Sequence, residues 1–169
     1  VTPTYNCGRF IAETIESVIN QTYKNWEMII VDDCSTDDTQ LIVSKYLRLD
    51  KRIKYTCLDQ NSGAAVARSF AMQMATGKYM AFLDSDDIWL SNKLELQISY
   101  MKQNKIAFTC TDYEQVNENG EKINKVVRSI KKTNYNRLLL DCPVGNSSVV
   151  YDVEKMGKFV VPNIRKRND

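Results

Sequence analysis

Two kinds of apolar pattern alternate along the first part of the chain. Ile11, Ile15, Val18 and Ile19 recur at helical spacing, whereas Met28–Val31 is a short continuous apolar run, typical of a strand buried on both faces. The same alternation predicts the end of a strand at residues 1–4, helices over 9–21, 35–49, 61–76 and 92–103, and strands over 28–31, 53–57 and 79–83. Strands and helices that alternate in this way form a parallel sheet with helices on both faces.

The pattern changes after Ile106. Strands are predicted over 106–112 and 114–127, with a hairpin turn at Asn119–Gly120, followed by a short helix over 135–140 and a strand over 147–151. The sequence shows no internal repeat and no linker, and both of its ends read as cut from a longer protein. We therefore expect one α/β domain with a mostly parallel central sheet and a small mixed β add-on.

The composition removes several kinds of catalytic site. The chain has no histidine, which excludes Ser-His-Asp and Cys-His catalysis and any histidine metal site. A metal ion would have to bind carboxylates, which favours Mg²⁺ or Mn²⁺, and a general base near neutral pH would be Asp or Glu. The net charge of +2 is too small to indicate nucleic acid as a partner. No apolar run approaches the roughly 20 residues of a membrane-spanning helix.

Acidic residues follow two of the predicted strands at their carboxyl ends. Asp32 and Asp33 follow the strand over 28–31, and the run Asp84–Asp87 follows the strand over 79–83. In an open parallel sheet these ends line the crevice where ligands bind. Carboxylates that meet there repel one another and raise each other's pKa values unless a cation lies between them. Helix caps and solvated turns are the alternative interpretation, which we prefer for Asp37 and Asp38.

The spacing of Asp84 and Asp86 suits a metal site. Alternate residues of an extended segment point the same way, so both carboxylates can face one ion. Such an ion can hold a diphosphate and neutralise its charge as it leaves. Arg68, in the preceding helix, can reach the same phosphates; the alternative for Arg68 is a surface arginine.

Four motifs occur in order along the chain: Pro3–Asn6, Val31–Asp37, Asn61–Gly63 with Ala67–Arg68, and Gly77–Tyr79 through Phe82–Asp87. At these separations they resemble family 2 glycosyltransferases, which have the fold called GT-A. The resemblance covers nearly the whole chain. It implies an inverting enzyme that moves a sugar from a nucleotide-sugar to an acceptor hydroxyl. It also implies a nucleotide-sugar-binding half over residues 1–104 and an acceptor-side half over residues 105–169.

The resemblance implies a role for each matching residue. Thr4, Tyr5 and Asp32 or Asp33 would bind the nucleotide base, and Arg68 would bind the base and the phosphates. Asp84 and Ser85 would bind the nucleotide-sugar. Asp84 and Asp86 would bind a Mn²⁺ or Mg²⁺ ion, with Asp87 supporting them. The implied donor is a UDP-sugar and the implied acceptor is a glycan or a lipid-linked molecule. The implied process is cell-surface polysaccharide synthesis of the bacterial type.

The resemblance also implies where the catalytic base lies. In the family it is the aspartate of a Glu-Asp pair far along the chain, and the matching pair here is Asn168-Asp169. Asp169 would take the proton from the acceptor hydroxyl in a single displacement. The aspartate is present and the glutamate is replaced, so Asp112 and Asp141 are the alternative bases.

Other functions share parts of this pattern. A sugar nucleotidyltransferase would have a Gly-rich loop with an arginine after the first strand, which Cys7-Gly8-Arg9 matches poorly. A phospho-acceptor signalling domain would need a lysine at the end of a later strand, and none is evident. A non-catalytic module that binds sugar nucleotides stays open. We expect a cytoplasmic location, in keeping with scattered cysteines, and peripheral association with the inner face of the membrane through a C-terminal segment beyond this chain.

Overall fold

The computed structural model describes residues 1–117, 119–129 and 144–162. Its strands are β1 (Thr2–Thr4), β2 (Met28–Asp32), β3 (Ile53–Cys57), β4 (Tyr79–Ala81), β5 (Phe108–Thr109), β6 (Tyr113–Val116), β7 (Lys122–Val127) and β8 (Val150–Asp152). Its helices are α1 (Ile11–Ile19), α2 (Thr39–Leu49), α3 (Ala64–Met74), α4 (Lys93–Asn104) and α5 (Val153–Met156), with a 3₁₀-helix at Asn146–Ser148. Among these described helices, none is long and apolar enough to span a bilayer.

The central sheet has the strand order β3-β2-β1-β4-β8-β5. Strands β1, β2 and β3 are parallel, and β8 runs antiparallel between β4 and β5. Val1 joins the two groups, because its nitrogen donates to Ala81 O (2.7 Å) and its carbonyl accepts from Leu83 N (3.1 Å). This is the hydrogen-bond pattern of a parallel pair. Strand order therefore reverses between β1 and β4, which is where open α/β sheets bind ligands.

Helices cover both faces of the sheet, as predicted. Ile30 of β2 packs with residues of α1, α2 and α4 on one face. Ile29 and Val31, which point the opposite way along the same strand, pack against α3 on the other face. Ala67 and Ala71 are fully buried there, and their small side chains let α3 approach the sheet closely. The predicted α/β class and mostly parallel sheet are confirmed.

The add-on differs more from its prediction. The four long helices lie within a few residues of the predicted ranges, and the hairpin β6–β7 turns at Asn119–Gly120 as expected, with a left-handed φ of 79° at Gly120. The strand predicted over 106–112 is reduced to β5. The strand predicted over 147–151 is wrong at its start, because Ser148 N donates to Gly145 O (3.0 Å) and closes a 3₁₀ turn before β8. The helix predicted over 135–140 lies outside the described residues.

Candidate functional site

A pocket of about 430 Å³ lies at the crevice between β1 and β4. It is built from the carboxyl ends of β1, β2 and β4 and from the start of α3. The lining residues are Pro3, Thr4, Tyr5, Asp33, Asn61, Gly63, Ala64, Arg68, Asp84, Ser85 and Asp86. Every residue predicted from the sequence for the donor or the metal lies here except Asp32. The strand ends, which sequence reasoning took as the ligand site, therefore do meet in one pocket.

Asp32 is directed away from the pocket and serves the scaffold. It is 1% exposed, and its two oxygens accept from Tyr55 Oη (2.7 Å) and Ser35 N (2.8 Å). Burial, followed by hydrogen bonding to this carboxylate, raises the pKa of Tyr55, which keeps the phenol protonated as a donor. The sequence prediction allowed either Asp32 or Asp33 to bind the base, and only Asp33 lines the pocket.

Asp33 fixes the loop that leads into α3. Its Oδ1 accepts from Ser62 N (2.8 Å) and its Oδ2 from Gly63 N (2.7 Å). Gly63 has a left-handed φ of 94°, a conformation that a side chain would strain. Asn61 Nδ2 also donates to the Asp33 carbonyl (3.2 Å). Asp33 therefore lines the pocket, and its carboxylate holds in place the neighbouring part of the wall, the loop over residues 61–63.

The loops that follow β1 and β2 are locked to each other beside the pocket. Asn6 and Cys34 both adopt left-handed backbone conformations, with φ of 48° and 69°. Asn6 N donates to Ser35 Oγ (2.9 Å), and Asn6 Oδ1 accepts from Thr36 N (2.8 Å). Strained residues that persist in this way cluster at functional sites.

Asp37 has the structural role that the sequence predicted. Its carboxylate accepts from Thr39 N (3.0 Å) at the start of α2 and from Gly8 N (2.9 Å) in the loop after β1. Asp38 occupies the N-cap position without a side-chain hydrogen bond to the helix. Both aspartates lie outside the pocket lining.

Asp84 is held through one of its two carboxylate oxygens. Oδ1 accepts from Arg68 Nη2 (2.7 Å) and from Asn146 Nδ2 (2.9 Å). Oδ2 has no hydrogen-bond partner among the described residues. One oxygen is thus fixed by the protein and the other is available to a ligand.

Ser147 holds both ends of the acidic run. Its hydroxyl accepts from Asp84 N (3.0 Å) and donates to Asp87 Oδ2 (2.5 Å). Its carbonyl accepts from Trp89 Nε1 (2.8 Å). Sequence reasoning missed Asn146 and Ser147, whose only signal is a short polar stretch far from the acidic run.

Asp87 supports the site from outside the pocket. Partial removal from water, and then the nearby carboxylates of Asp86 and Asp84, raise the pKa of Asp87, and the hydrogen bond from Ser147 acts against them. This is the mutual repulsion that the sequence predicted, at one residue. The five carboxylates do not form one cluster, however, because only Asp33, Asp84 and Asp86 line the pocket.

The residues present fit a divalent cation that arrives with its ligand. No hydrogen bond or ion pair among the described residues reaches the Asp86 carboxylate, which is exposed. No group of three or more acidic or cysteine side chains in the described part of the chain is arranged to hold an ion. Mg²⁺ and similar ions commonly use one or two carboxylates and take their other ligands from phosphates and water. Asp84 and Asp86 match that donor set.

Two buried polar atoms in the pocket residues have no partner within the described structure. They are Thr4 Oγ1 and Arg68 Nε. An unpaired buried donor or acceptor costs about 1–3 kcal/mol, so native structures seldom leave such atoms without a ligand or a water. Tyr5 is 49% exposed beside them and offers an aromatic face at the pocket mouth.

Of the three predicted bases, Asp112 lies within the described residues. Asp169 and Asp141 lie outside the described residues. Asp112 is exposed and accepts from Ser129 N (2.7 Å) and Ser129 Oγ (2.9 Å). These hydrogen bonds lower the pKa of Asp112, which makes it a weaker proton acceptor.

Known proteins are similar to this chain in both sequence and fold. The family model for glycosyl transferase family 2 matches residues 1–160. The putative teichuronic acid biosynthesis glycosyltransferase TuaG of Bacillus subtilis is 43% identical over 169 residues, 100% of this chain and 67% of that protein. The UDP-Glc:alpha-D-GlcNAc-diphosphoundecaprenol beta-1,3-glucosyltransferase WfgD of Escherichia coli is 42% identical over 168 residues, 99% of this chain and 65% of that protein. The chain spans about two thirds of the length of these relatives.

Solved structures confirm the predicted GT-A fold. The S. aureus TarS 1–349 complex with UDP superposes with a TM-score of 0.72 at 24% identity, covering 92% of this chain and 47% of that one. The mannosyltransferase PcManGT from Pyrobaculum calidifontis, in complex with GDP-Man and Mn²⁺, gives a TM-score of 0.67 at 18% identity, covering 94% and 46%.

Proposed function

Because this chain belongs to glycosyl transferase family 2, we propose that it carries the donor site of an inverting glycosyltransferase that moves a sugar from a UDP-sugar to an acceptor hydroxyl. One observation carries the proposal: the crevice between β1 and β4 contains the Asp86 carboxylate and two buried polar atoms, Thr4 Oγ1 and Arg68 Nε, none of which has a hydrogen-bond partner among the described residues. Such a site suits a polar ligand whose negatively charged middle is bound through a cation shared with Asp86.

The base and the diphosphate would occupy different parts of the pocket. Thr4, Tyr5 and Asp33 form the wall at the ends of β1 and β2 and would bind the base, with the Tyr5 ring able to stack on it. Arg68 lies next to Asp84 and would face the diphosphate. The choice of uracil is supported by WfgD, whose name gives UDP-Glc as its donor, and by the TarS complex with UDP.

The ion in this proposal is Mn²⁺ or Mg²⁺, held by Asp84 Oδ2 and Asp86. When bound, it would supply positive charge to the leaving diphosphate. Arg68 would add a second positive charge there, while its hydrogen bond to Asp84 Oδ1 keeps that carboxylate in orientation. Ser85 is 8% exposed and would line the sugar end of the donor.

The acceptor and the base complete the proposed reaction. Asp169 would accept the proton of the attacking hydroxyl, whose oxygen would form the new bond to the sugar carbon while the bond from that carbon to the nucleoside diphosphate breaks, with inversion at the carbon. The acceptor would be a glycan carried on a lipid diphosphate, in line with the GlcNAc-diphosphoundecaprenol in the name of WfgD. The process would be cell-surface polysaccharide synthesis, in line with the teichuronic acid biosynthesis in the name of TuaG. With such an acceptor, the glycosyl transfer would take place at the inner face of the membrane.

Donor binding is tested by thermal unfolding of the full-length protein with UDP, GDP and dTDP, each with and without Mn²⁺. We expect stabilisation by UDP only when Mn²⁺ is present, by about 2.7 kcal/mol at a hundredfold excess over Kd. Stabilisation by GDP rather than UDP would indicate a GDP-sugar as the donor. The absence of any shift with every nucleotide and metal would contradict the donor site itself.

Turnover distinguishes the enzyme from a non-catalytic binding module. In the full-length protein, Asp169→Asn should lower kcat about 10²–10⁴-fold while donor affinity is unchanged, because a base acts in the transition state and not in donor binding. Near-normal turnover of this variant would assign the base to Asp141 or Asp112. Donor binding by the wild-type protein without transfer to any lipid-linked glycan would favour the binding module.

A further inference from the structure

We infer that the turn over residues 145–148 is a positioning element for the acidic run, and that it links the β6–β7 hairpin to the donor pocket. Ser147 and Asn146 are its positioning residues. Neither lines the pocket, so they act through Asp84 and Asp87. This role rests on the proposed function, since it concerns how the proposed metal ligands are oriented.

Ser147 fixes the geometry of the acidic run through a single hydroxyl. That hydroxyl accepts from the main chain of Asp84 and donates to the carboxylate of Asp87. Asp87 N also donates to Asp84 O (3.1 Å), so the run is a closed turn with Ser147 bridging its first and last residues. Asp86 lies inside this turn, so the turn fixes the direction in which its Cα–Cβ bond leaves the main chain.

Asn146 determines which oxygen of Asp84 is free. Together with Arg68, it saturates Oδ1. A carboxylate held at one oxygen by two donors cannot rotate without losing both hydrogen bonds. Oδ2 is therefore presented in one direction, as a metal ligand needs when its own hydrogen bonds orient it.

The turn owes its position to the core and not to the aspartates. Gln97 of α4 is 4% exposed, and its Nε2 donates to Ser148 O (3.0 Å) and to Thr109 Oγ1 (3.0 Å) of β5. Trp89 Nε1 donates to Ser147 O. These anchors lie on α4, β5 and the segment before α4, so the turn is held by hydrogen bonds that do not involve Asp84 or Asp87. The turn therefore orients them, rather than the reverse.

The hairpin packs directly on this turn. A Cβ atom added at Gly145 would lie 2.7 Å from Cε1 of Tyr113, the first residue of β6. The φ of Gly145 is −67°, which every residue can adopt. Glycine is therefore required here by the close approach of the Tyr113 ring and not by the backbone conformation. A displacement of the hairpin would move the residues next to Asn146 and Ser147.

The inference is tested with Mn²⁺ and UDP as probes on the full-length protein. The affinity for Mn²⁺ at saturating UDP is measured from the electron paramagnetic resonance signal of free Mn²⁺. Ser147→Ala should weaken Mn²⁺ binding by about 10–100-fold, the range for loss of a group that orients a metal ligand. Ser147→Thr keeps the hydroxyl and should restore most of the affinity. Ser44→Ala, which removes a hydroxyl on an exposed face of α2, should leave it unchanged.

A purely structural role predicts a different result. Ser147→Ala would then lower the melting temperature while the folded protein bound Mn²⁺ as the wild type does, and the inference would be overturned. If the wild-type protein bound no Mn²⁺ in the presence of UDP, the proposed function would fail and this inference with it.

The link to the hairpin has its own test. Gly145→Ala should weaken Mn²⁺ binding at saturating UDP, because the new methyl group collides with the Tyr113 ring. Adding Tyr113→Ala removes the collision and should recover much of the affinity. A double variant that binds Mn²⁺ no better than Gly145→Ala would show that the hairpin does not bear on the turn.

Discussion

Asp32–Asp33 and Asp84–Asp87 look alike in the sequence, since each acidic run follows a buried strand of the same sheet. Their hydrogen bonds differ. In the first run, both oxygens of each carboxylate accept from nearby main-chain or phenol donors. In the second run, Asp84 uses one oxygen, and Asp86 has no partner within the described part of the chain. Saturation by the protein's own donors, and not residue type, separates Asp32 and Asp33 from the two carboxylates proposed to bind the metal ion.

The two runs also differ in where their partners come from. The partners of the first run lie within 30 residues of it, inside the strand–helix units. Asn146 and Ser147 lie 62 and 60 residues from Asp84 and Asp87, in the add-on. The first run is thus fixed by local structure, and the second depends on the rest of the domain.

The largest expected effect is on stability, from the saturated run. Asp32→Ala leaves Ser35 N and the Tyr55 hydroxyl without their buried acceptor, so we expect a loss of about 3 kcal/mol in the free energy of unfolding. Tyr55→Phe removes one of the two hydrogen bonds and should cost about 1–2 kcal/mol. Urea titrations at neutral pH measure both. An Asp32→Ala protein as stable as the wild type would show that saturation does not identify scaffold carboxylates.

The next largest effect is on ligand binding and comes from the second run, Asp84–Asp87, whose carboxylates are not all saturated. Asp86→Asn should weaken metal-dependent UDP binding by at least about a hundredfold, more than loss of an orienting group, with the free energy of unfolding nearly unchanged. Calorimetric titration with UDP and Mn²⁺ measures the change. Asp38→Asn is the matched control, because Asp38 is exposed at a helix start outside the pocket. If Asp86→Asn unfolds the protein, Asp86 is a structural residue and the contrast between the runs is lost.

The smallest effect concerns a saturated carboxylate at the other end of β2. Burial alone would raise the pKa of Glu27, but donation from Lys54 and from the Thr76 and Gly77 segment lowers it from 4.5 to about 2. Because the folded pKa is the lower one, this stabilisation is complete above pH 4.5 and is lost as the pH falls through about 2. We expect it to contribute about 1–2 kcal/mol at neutral pH.

Acid titration of stability measures this contribution. The difference in unfolding free energy between the wild type and Glu27→Gln should shrink as the pH falls from 6 toward about 2.5. Glu95→Gln changes an exposed glutamate of α4 without a hydrogen bond in the described structure and should follow the wild-type profile. A constant difference between wild type and Glu27→Gln would contradict the lowered pKa.

Local pattern was sufficient for much of the fold and for the place of the candidate pocket. Apolar spacing located the four long helices, and strand-end topology located Asp33, Asp84 and Asp86 in one pocket. It could not tell which of Asp32 and Asp33 lines the pocket, because the answer depends on which face of β2 packs against α3. Nor could it find Asn146 and Ser147, whose contacts join residues about 60 positions apart. For the same reason a strand was predicted where Ser148 closes a 3₁₀ turn.

The insertion of β8 between β4 and β5 sets an order of events during synthesis. When residue 104 leaves the ribosome, helices α1 to α4 are complete, yet the edge of β4 that faces away from β1 has no partner, because β8 is still to be made. Long-range pairings of this kind form late and slowly. Until Val150–Asp152 pairs with β4, Ser147 cannot close the turn at Asp84–Asp87. A nascent chain can therefore be well folded around β2 before its acidic run takes the arrangement proposed to bind a metal ion.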